Sequence, residues 1–394
     1  MDESAQGSEP GAPRLEVAPG GGGAPQTPDG DPHERGFSPA EIQRGLLVWL
    51  AIVSAGGLVF LLLGRAEGAL LLAVSGAFAL AQATDSAAAV EGYRVWVRER
   101  LPRDSAHGVL FRLLVRSLVP MAGALFYALL AIYANTAADL PRRGFAIGWC
   151  VAAVLASLAL AWRPCADAVM RAFFRGTPGR TRRLTARLVV MALLLPVPAR
   201  ILFPSMLSAV QQSGTSLVDV STLLSQMTGE IALALAGVGL FVRRDWSGAR
   251  ARLGLTALRP RDALFVAGGV LAAMALNSGA DWLERHAFPG LYRSDTDITN
   301  TIAAHLPLWT SLLLGASAGV GEELAVRGAL QPRLGIALSA LVFACGHVQY
   351  SWFGMASVGL LGVLLGVIRA RSNTTTAIVV HAVYDVFAAL TAGH

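Results

Sequence analysis

From residue 38 onward the chain is patterned as long apolar runs separated by short clusters rich in arginine. Neither strand-like alternation nor a one-sided amphipathic period dominates. A helix that crosses a bilayer needs about 20 mostly apolar residues. Runs of that kind fall at 45–64, 69–92, 117–135, 144–162, 188–208, 223–242, 263–280, 306–330, 335–350, 354–368 and 375–392. The run at 188–208 is interrupted by Pro196, Pro198, Arg200 and Pro204, and the run at 354–368 is short. The pattern therefore predicts an all-α polytopic membrane protein with about ten or eleven transmembrane helices.

Residues 1–37 break the pattern. They hold eight glycines and six prolines with almost no apolar run, which predicts a disordered tail. No basic start leads into an early apolar core, so no cleavable signal peptide is expected. The tail gives way at Phe37-Ser38-Pro39-Ala40-Glu41. There Ser38 reads as a helix N-cap, Pro39 as the first helical residue and Glu41 as the capping-box partner.

Composition agrees. Of the 394 residues, 54% are apolar and 15% charged. Soluble domains carry roughly 45–50% and about 25%. Mean hydropathy is +0.54. Net charge is +6, and every basic residue is arginine. Arginines gather between the second and third runs (Arg94, Arg98, Arg100, Arg103, Arg112, Arg116), between the fourth and fifth (Arg163 to Arg187), and between the sixth and seventh (Arg243 to Arg261). The segment 281–305 instead carries Asp281, Glu284, Asp295 and Asp297. Alternating basic loops fit positive-inside topology and place the tail in the cytoplasm of a bacterial plasma membrane. They also explain the arginines without a nucleic-acid partner. Cys150, Cys165 and Cys345 are too few for a disulfide framework.

Ionisable side chains inside a bilayer are costly and tend to mark function. Six gather on three apolar runs near the end of the chain: Glu322, Glu323, Arg327, His347, His381 and Asp385. Glu323 and Arg327 are four residues apart, so they share a helix face and can pair. Glu322 sits about 100° away around the helix, free for another partner. Phe343 and His347 are also four apart, as are His381 and Asp385, so Phe343 can wall the site and the last pair presents one face. A site that activates water needs a base, a second group to orient the water, and oxyanion donors. Glu322 with His347, and His381 with Asp385, can fill those places. The competing reading is a set of buried ion pairs that only fix helix packing.

The segments Glu322-Glu323-Leu324-Ala325-Val326-Arg327, Phe343-Ala344-Cys345-Gly346-His347 and His381-Ala382-Val383-Tyr384-Asp385 resemble the EExxxR, FxxxH and Hxxx(N/D/B) motifs of the CPBP family. These are type II CAAX prenyl proteases and bacteriocin-processing proteins, also called Abi. The resemblance covers about residues 261–394. It implies an intramembrane endopeptidase with a CPBP-like helical core at 261–394, preceded by a membrane extension of unknown role at 38–260 and the tail at 1–37. By position, the resemblance makes Glu322 the general base and His347 its partner on the attacking water. His381 and Asp385 would serve the oxyanion, with Glu323, Arg327 and Phe343 in support. Eukaryotic prenyl proteases carry Asn where this chain has Asp385. Asn can donate a hydrogen bond to an oxyanion and an ionised Asp cannot. The family is often called a metalloprotease family, and Glu322, His347 and His381 would suit a divalent metal such as zinc with one open position. Glutamate catalysis without metal is the alternative.

Other signals carry less. Gly315-Ala316-Ser317-Ala318-Gly319 matches the serine-hydrolase elbow but lies in an apolar helical run, where Gly315 and Gly319 read as a close helix contact. Gly362 and Gly366 repeat that spacing. Glu230 and Asp85 lie within apolar runs, where either could be a proton or substrate site, but near a helix end each reads first as a capped or wetted carboxylate. His107, His286, His305 and His394 read as interfacial or exposed, and Trp282 and Trp309 as an aromatic belt. The expected partners are the lipid bilayer and a membrane-associated, lipidated or secreted peptide or protein. The rival is a non-catalytic membrane scaffold or an immunity or regulatory protein on the same helices.

Overall fold

The computed structural model describes residues 36–87, 99, 105–137, 140–174, 179–212, 218–303 and 306–392. The tail up to residue 35, His305, His394 and Arg94, Arg98, Arg100 and Arg103 lie outside the described residues, as do the side chains of His107, Arg112 and Arg116. The described chain is a succession of helices with no β-strand among the described residues. They are α1 (Pro39–Leu62), α2 (Ala66–Ala87), α3 (Ala106–Thr136), α4 (Arg143–Ala159), α5 (Arg163–Phe173), α6 (Arg180–Leu194), α7 (Pro196–Gln212), α8 (Val220–Val238) and α9 (Trp246–Leu253). There follow α10 (Pro260–Ala287), α11 (Pro289–Ala303), α12 (Leu308–Glu323), a π-helical segment (Leu324–Leu330), α13 (Gln331–Gly346), α14 (Trp352–Arg371) and α15 (Thr374–Thr391). The capping box at the start of α1 forms as the sequence predicts: Glu41 N–H donates to Ser38 Oγ at 3.3 Å and Ser38 N–H to Glu41 Oε2 at 2.8 Å.

Among the described residues seven helical stretches are long and apolar enough to cross a membrane, or nine if two bent pairs each count as one span. This is fewer than the ten or eleven read from hydropathy. The runs at 306–330 and 335–350 join into one helical path, Leu308–Gly346, of 39 residues. At about 1.5 Å per residue it is far longer than a hydrocarbon core of about 30 Å. It is broken at Gly335, whose φ of 77° and ψ of 176° leave the helical region. The run at 223–242 becomes α8, which is not among the spanning candidates. Run length registers apolar content alone. Gln226, Thr228 and Glu230 dilute the content of α8, and much of its surface is buried against protein. The segment 281–305, read as an acidic loop, is the end of α10 and the whole of α11.

One core cluster joins Ile42 and Trp49 of α1, Leu72 and Phe78 of α2, the alanines of α8, and Leu324 and Ala329 of the π segment. A second joins Val270 and Ala273 of α10, Leu361, Leu365 and Ile368 of α14, and Ala377 and Val380 of α15. Asp85 is a cap, as the sequence reading favoured: it accepts the backbone N–H groups of Arg180 and Thr181, each at 2.9 Å, at the start of α6.

The contact between α12 and α15 depends on absent side chains. A Cβ on Gly319 would lie 2.8 Å from Ile378 O and 2.9 Å from Ala382 N, and one on Gly315 would lie 2.5 Å from Ala382 O. Backbone cannot swing aside as a flexible side chain can. Gly319→Ala is therefore expected to destabilise the protein by about 1–3 kcal/mol. Gly279→Ala, at an exposed helical position with nothing within 4 Å, should be neutral or gain roughly 0.5–1 kcal/mol. Thermal unfolding in detergent compares the two; equal melting temperatures would refute this account of the contact.

Candidate active site

The end of α12 builds the site. At Glu323 the helix widens into the π segment, a rare local form that is frequent at functional positions. Glu323 is fully buried and Arg327 almost so, at 0% and 1% side-chain exposure. Nη1 of Arg327 donates to Glu323 Oε1 at 2.7 Å. Nη2 donates to the carbonyl of Gly362 on α14 at 3.1 Å. The guanidinium lies 4.3 Å over the ring of Phe343 on α13, a cation–π contact strengthened by burial.

The same carboxylate oxygen reaches α15, where His381 Nδ1 lies 2.9 Å from Glu323 Oε1. The other ring nitrogen, Nε2, lies 3.5 Å from Asp385 Oδ2, within ion-pair reach but too long for a good hydrogen bond. His381 therefore stands between two carboxylates. Phe343 packs edge-on to it with centroids 6.0 Å apart. On its other side Phe343 touches His347, at 4.7 Å between centroids.

His347 stands just past α13, as its C-terminal cap. Its Nδ1 lies 3.0 Å from Phe343 O, and its Nε2 has no partner among the described residues. The loop that follows is tied down from α10 and α11. Ser351 N–H donates to Asp295 Oδ1 at 2.7 Å, and Ser351 Oγ–H to Asp295 Oδ2 at 2.6 Å, with Glu284 Oε1 at 3.3 Å. Ser351 also caps α14 by accepting Gly354 N–H. The sequence reading left this knot out, because it took Glu284 and Asp295 for loop acids.

Glu322 makes no hydrogen bond or ion pair with Glu323 or Arg327. Its Oε2 is buried with no hydrogen-bond partner among the described residues. Its charge acts on Arg327, His381 and Asp385. It also acts on Glu230 of α8. Glu230 is thus a buried neighbour of the site rather than the capped or wetted carboxylate expected. Its Oε1 accepts from Gln226 Nε2 at 3.2 Å, and its Oε2 is buried without a partner among the described residues. The sequence offers a proton or substrate site as the alternative at Glu230, and the Gln226–Glu230 pair has the same four-residue spacing in an apolar run as Glu323–Arg327. Ser317 lies in mid-helix and its hydroxyl donates to Leu223 O at 2.8 Å, a helix contact and not a nucleophile elbow.

The residues do not fit a metal as arranged. Among the described residues no three His, Cys, Asp or Glu side chains come together as a ligand group, and Glu322, His347 and His381 are no exception. His381 already spends Nδ1 on Glu323 and turns Nε2 toward Asp385. An open apolar groove of about 260 Å³ runs beside the site, lined by Leu312, Ala316, Ala382, Val383, Val386 and Phe387.

Helices and site together define a polytopic α-helical membrane protein with a buried carboxylate–histidine centre. Residues 304–387 match the family model described as type II CAAX prenyl endopeptidase, Rce1-like. That segment spans about a fifth of the chain and contains all seven residues of the three motifs. Neither the curated proteins nor the solved structures yield a match to the chain.

Removing Arg327 would leave Glu323 charged, buried and short of a partner. Arg327→Ala is expected to cost about 3–5 kcal/mol, the usual penalty for breaking a buried pair from one side. Arg327→Ala together with Glu323→Gln should recover part of that loss. Melting temperatures of the two variants in detergent are the check; if the double variant melts no higher than the single one, the pair is not what holds the arginine.

Proposed function

We propose that the protein is an intramembrane endopeptidase that hydrolyses peptide bonds of membrane-associated, lipidated or secreted peptides through water activated by Glu322 and His347. The observation that carries this reading is the pairing of opposites at the end of α12. Oε1 of Glu323 is paired with both Arg327 and His381, while the adjacent Glu322 has no cation paired with it among the described residues; the Oε2 atoms of both are buried without a partner. A carboxylate held ionised by a guanidinium is a poorer base toward water than a neighbour with no cation paired to it.

In this reading Glu322 takes the proton of a water whose oxygen adds to the scissile carbonyl, and His347 orients that water through Nε2. The developing oxyanion lies toward Nε2 of His381, which Glu323 holds from the opposite ring nitrogen. Asp385 orients the imidazole from 3.5 Å and is not itself the oxyanion donor, which accounts for an acid where eukaryotic relatives carry Asn. The proton held by Glu322 then passes to the leaving amine. Phe343 separates the two histidines and Arg327 supports the carboxylate behind them. The apolar groove alongside suits a lipid-embedded substrate segment.

Peptide termini mapped by mass spectrometry in membranes with wild-type protein, with Glu322→Ala at equal level, and with neither are the direct test. Termini present only with the wild type are expected. Identical termini from wild type and variant, with any growth or binding phenotype kept by both, would make the protein a scaffold. With no step routed through metal, 1,10-phenanthroline should leave cleavage by purified protein unchanged; metal-restorable inhibition would overturn the metal-free route.

A further inference from the structure

Glu230 belongs to α8, outside the matched segment, yet its side chain ends at the catalytic corner. A Cβ placed on Gly321 would overlap its Oε2 and would lie 3.3 Å from its Cβ. The residue after Gly321 is Glu322. Only the missing side chain at Gly321 lets the Glu230 carboxyl reach this depth. The carboxyl is affected by the charges of both Glu322 and His381. Gln226 fixes one of its oxygens at 3.2 Å, and the other oxygen is buried without a partner, as is Oε2 of Glu322. Packing supports the placement: Ser317 of α12 donates to Leu223 of α8, and the alanines of α8 share a core with Leu324 and Ala329 of the π segment.

Two carboxyls at the Gly321–Glu322 corner, each with an unsatisfied buried oxygen, form an expensive arrangement unless one carries a proton and offers it to the other as a hydrogen bond. We infer that Glu230 is a positioning residue for Glu322: it holds the base in the orientation that reaches water, and so makes α8 a structural part of the active site. Glu230 neither gives nor takes a proton in the reaction. The proton of water still passes to Glu322 and then to the leaving amine. The inference rests on the proteolytic reading of Glu322.

The test compares wild type, Glu230→Leu, Glu230→Gln and Glu322→Ala on the substrate found by terminus mapping, at equal protein level. Glu230→Leu keeps bulk and removes polarity, and is expected to lower kcat on the order of 10- to 100-fold, as misplaced catalytic groups do, with KM unchanged. Glu230→Gln keeps both the shape and a polar group facing Glu322, and should restore most of the rate. A leucine variant with wild-type kcat, or a glutamine variant as slow as leucine, would overturn the inference. Should the leucine variant fail to accumulate, Gly321→Ala displaces the carboxyl without removing it and is scored by the same kcat and KM criterion. If wild type and Glu322→Ala cleave alike, the proteolytic reading fails. If Glu322→Ala is dead and Glu230→Leu is not, only the role of Glu230 fails.

Discussion

One buried oxygen, Oε1 of Glu323, carries more of this structure than any other atom in the site. It receives Nη1 of Arg327 from the π segment and faces Nδ1 of His381 from α15. Arg327 passes the constraint on to α14 through Gly362 and to α13 through the ring of Phe343. Five consecutive elements thus meet at a single ion pair. Taking both charges out of water is costly, and mutual attraction offsets the cost only when the remaining donors are satisfied. Arg327 meets that condition with a carbonyl and an aromatic face, though Oε2 of Glu323 stays without a partner among the described residues; the pair still joins helices that apolar packing alone would not orient.

The local helix form follows from the same demand. A regular α-helix through residues 322–330 would repeat every 3.6 residues and keep its side chains in strict succession. Widening to π geometry across Leu324–Leu330 changes that succession between Glu323, the last residue of α12, and Arg327, while the two adjacent glutamates are already about 100° apart on α12. The glycines at 315, 319 and 321 complete the arrangement. Each clears a path for something that must come close, the backbone of α15 for the first two and the carboxyl of Glu230 for the third.

Much of this was legible in the sequence, for reasons of period. Residues four apart on a helix are neighbours, so the contacts of Glu323 with Arg327, Phe343 with His347 and His381 with Asp385 could be written down before any coordinates. What period cannot supply is which faces of distant helices meet. The bond from Glu323 to His381 and the approach of Glu230 to Gly321 join segments far apart in sequence. The knot of Ser351, Asp295 and Glu284 was hidden because acidic residues near helix ends look alike whether they face water or cap a neighbouring helix. The span count differs for a related reason: run length alone does not register the polar residues that dilute α8, nor that two apolar runs join into the single path Leu308–Gly346.

The burial of α8 changes how the chain divides. The family match begins at residue 304, and the motifs alone suggest a self-contained catalytic third. Yet Leu324 and Ala329, flanking Arg327, share their core with α1, α2 and α8, and Leu253 O at the end of α9 accepts the hydroxyl of Thr374, which opens α15. The π segment is therefore packed on one side by catalytic-motif helices and on the other by the preceding ones. A rare local helix form is held by the contacts on both of its sides. The N-terminal helices supply one of those sides, so the geometry at Glu322 and Glu323 belongs to the whole bundle rather than to the matched segment.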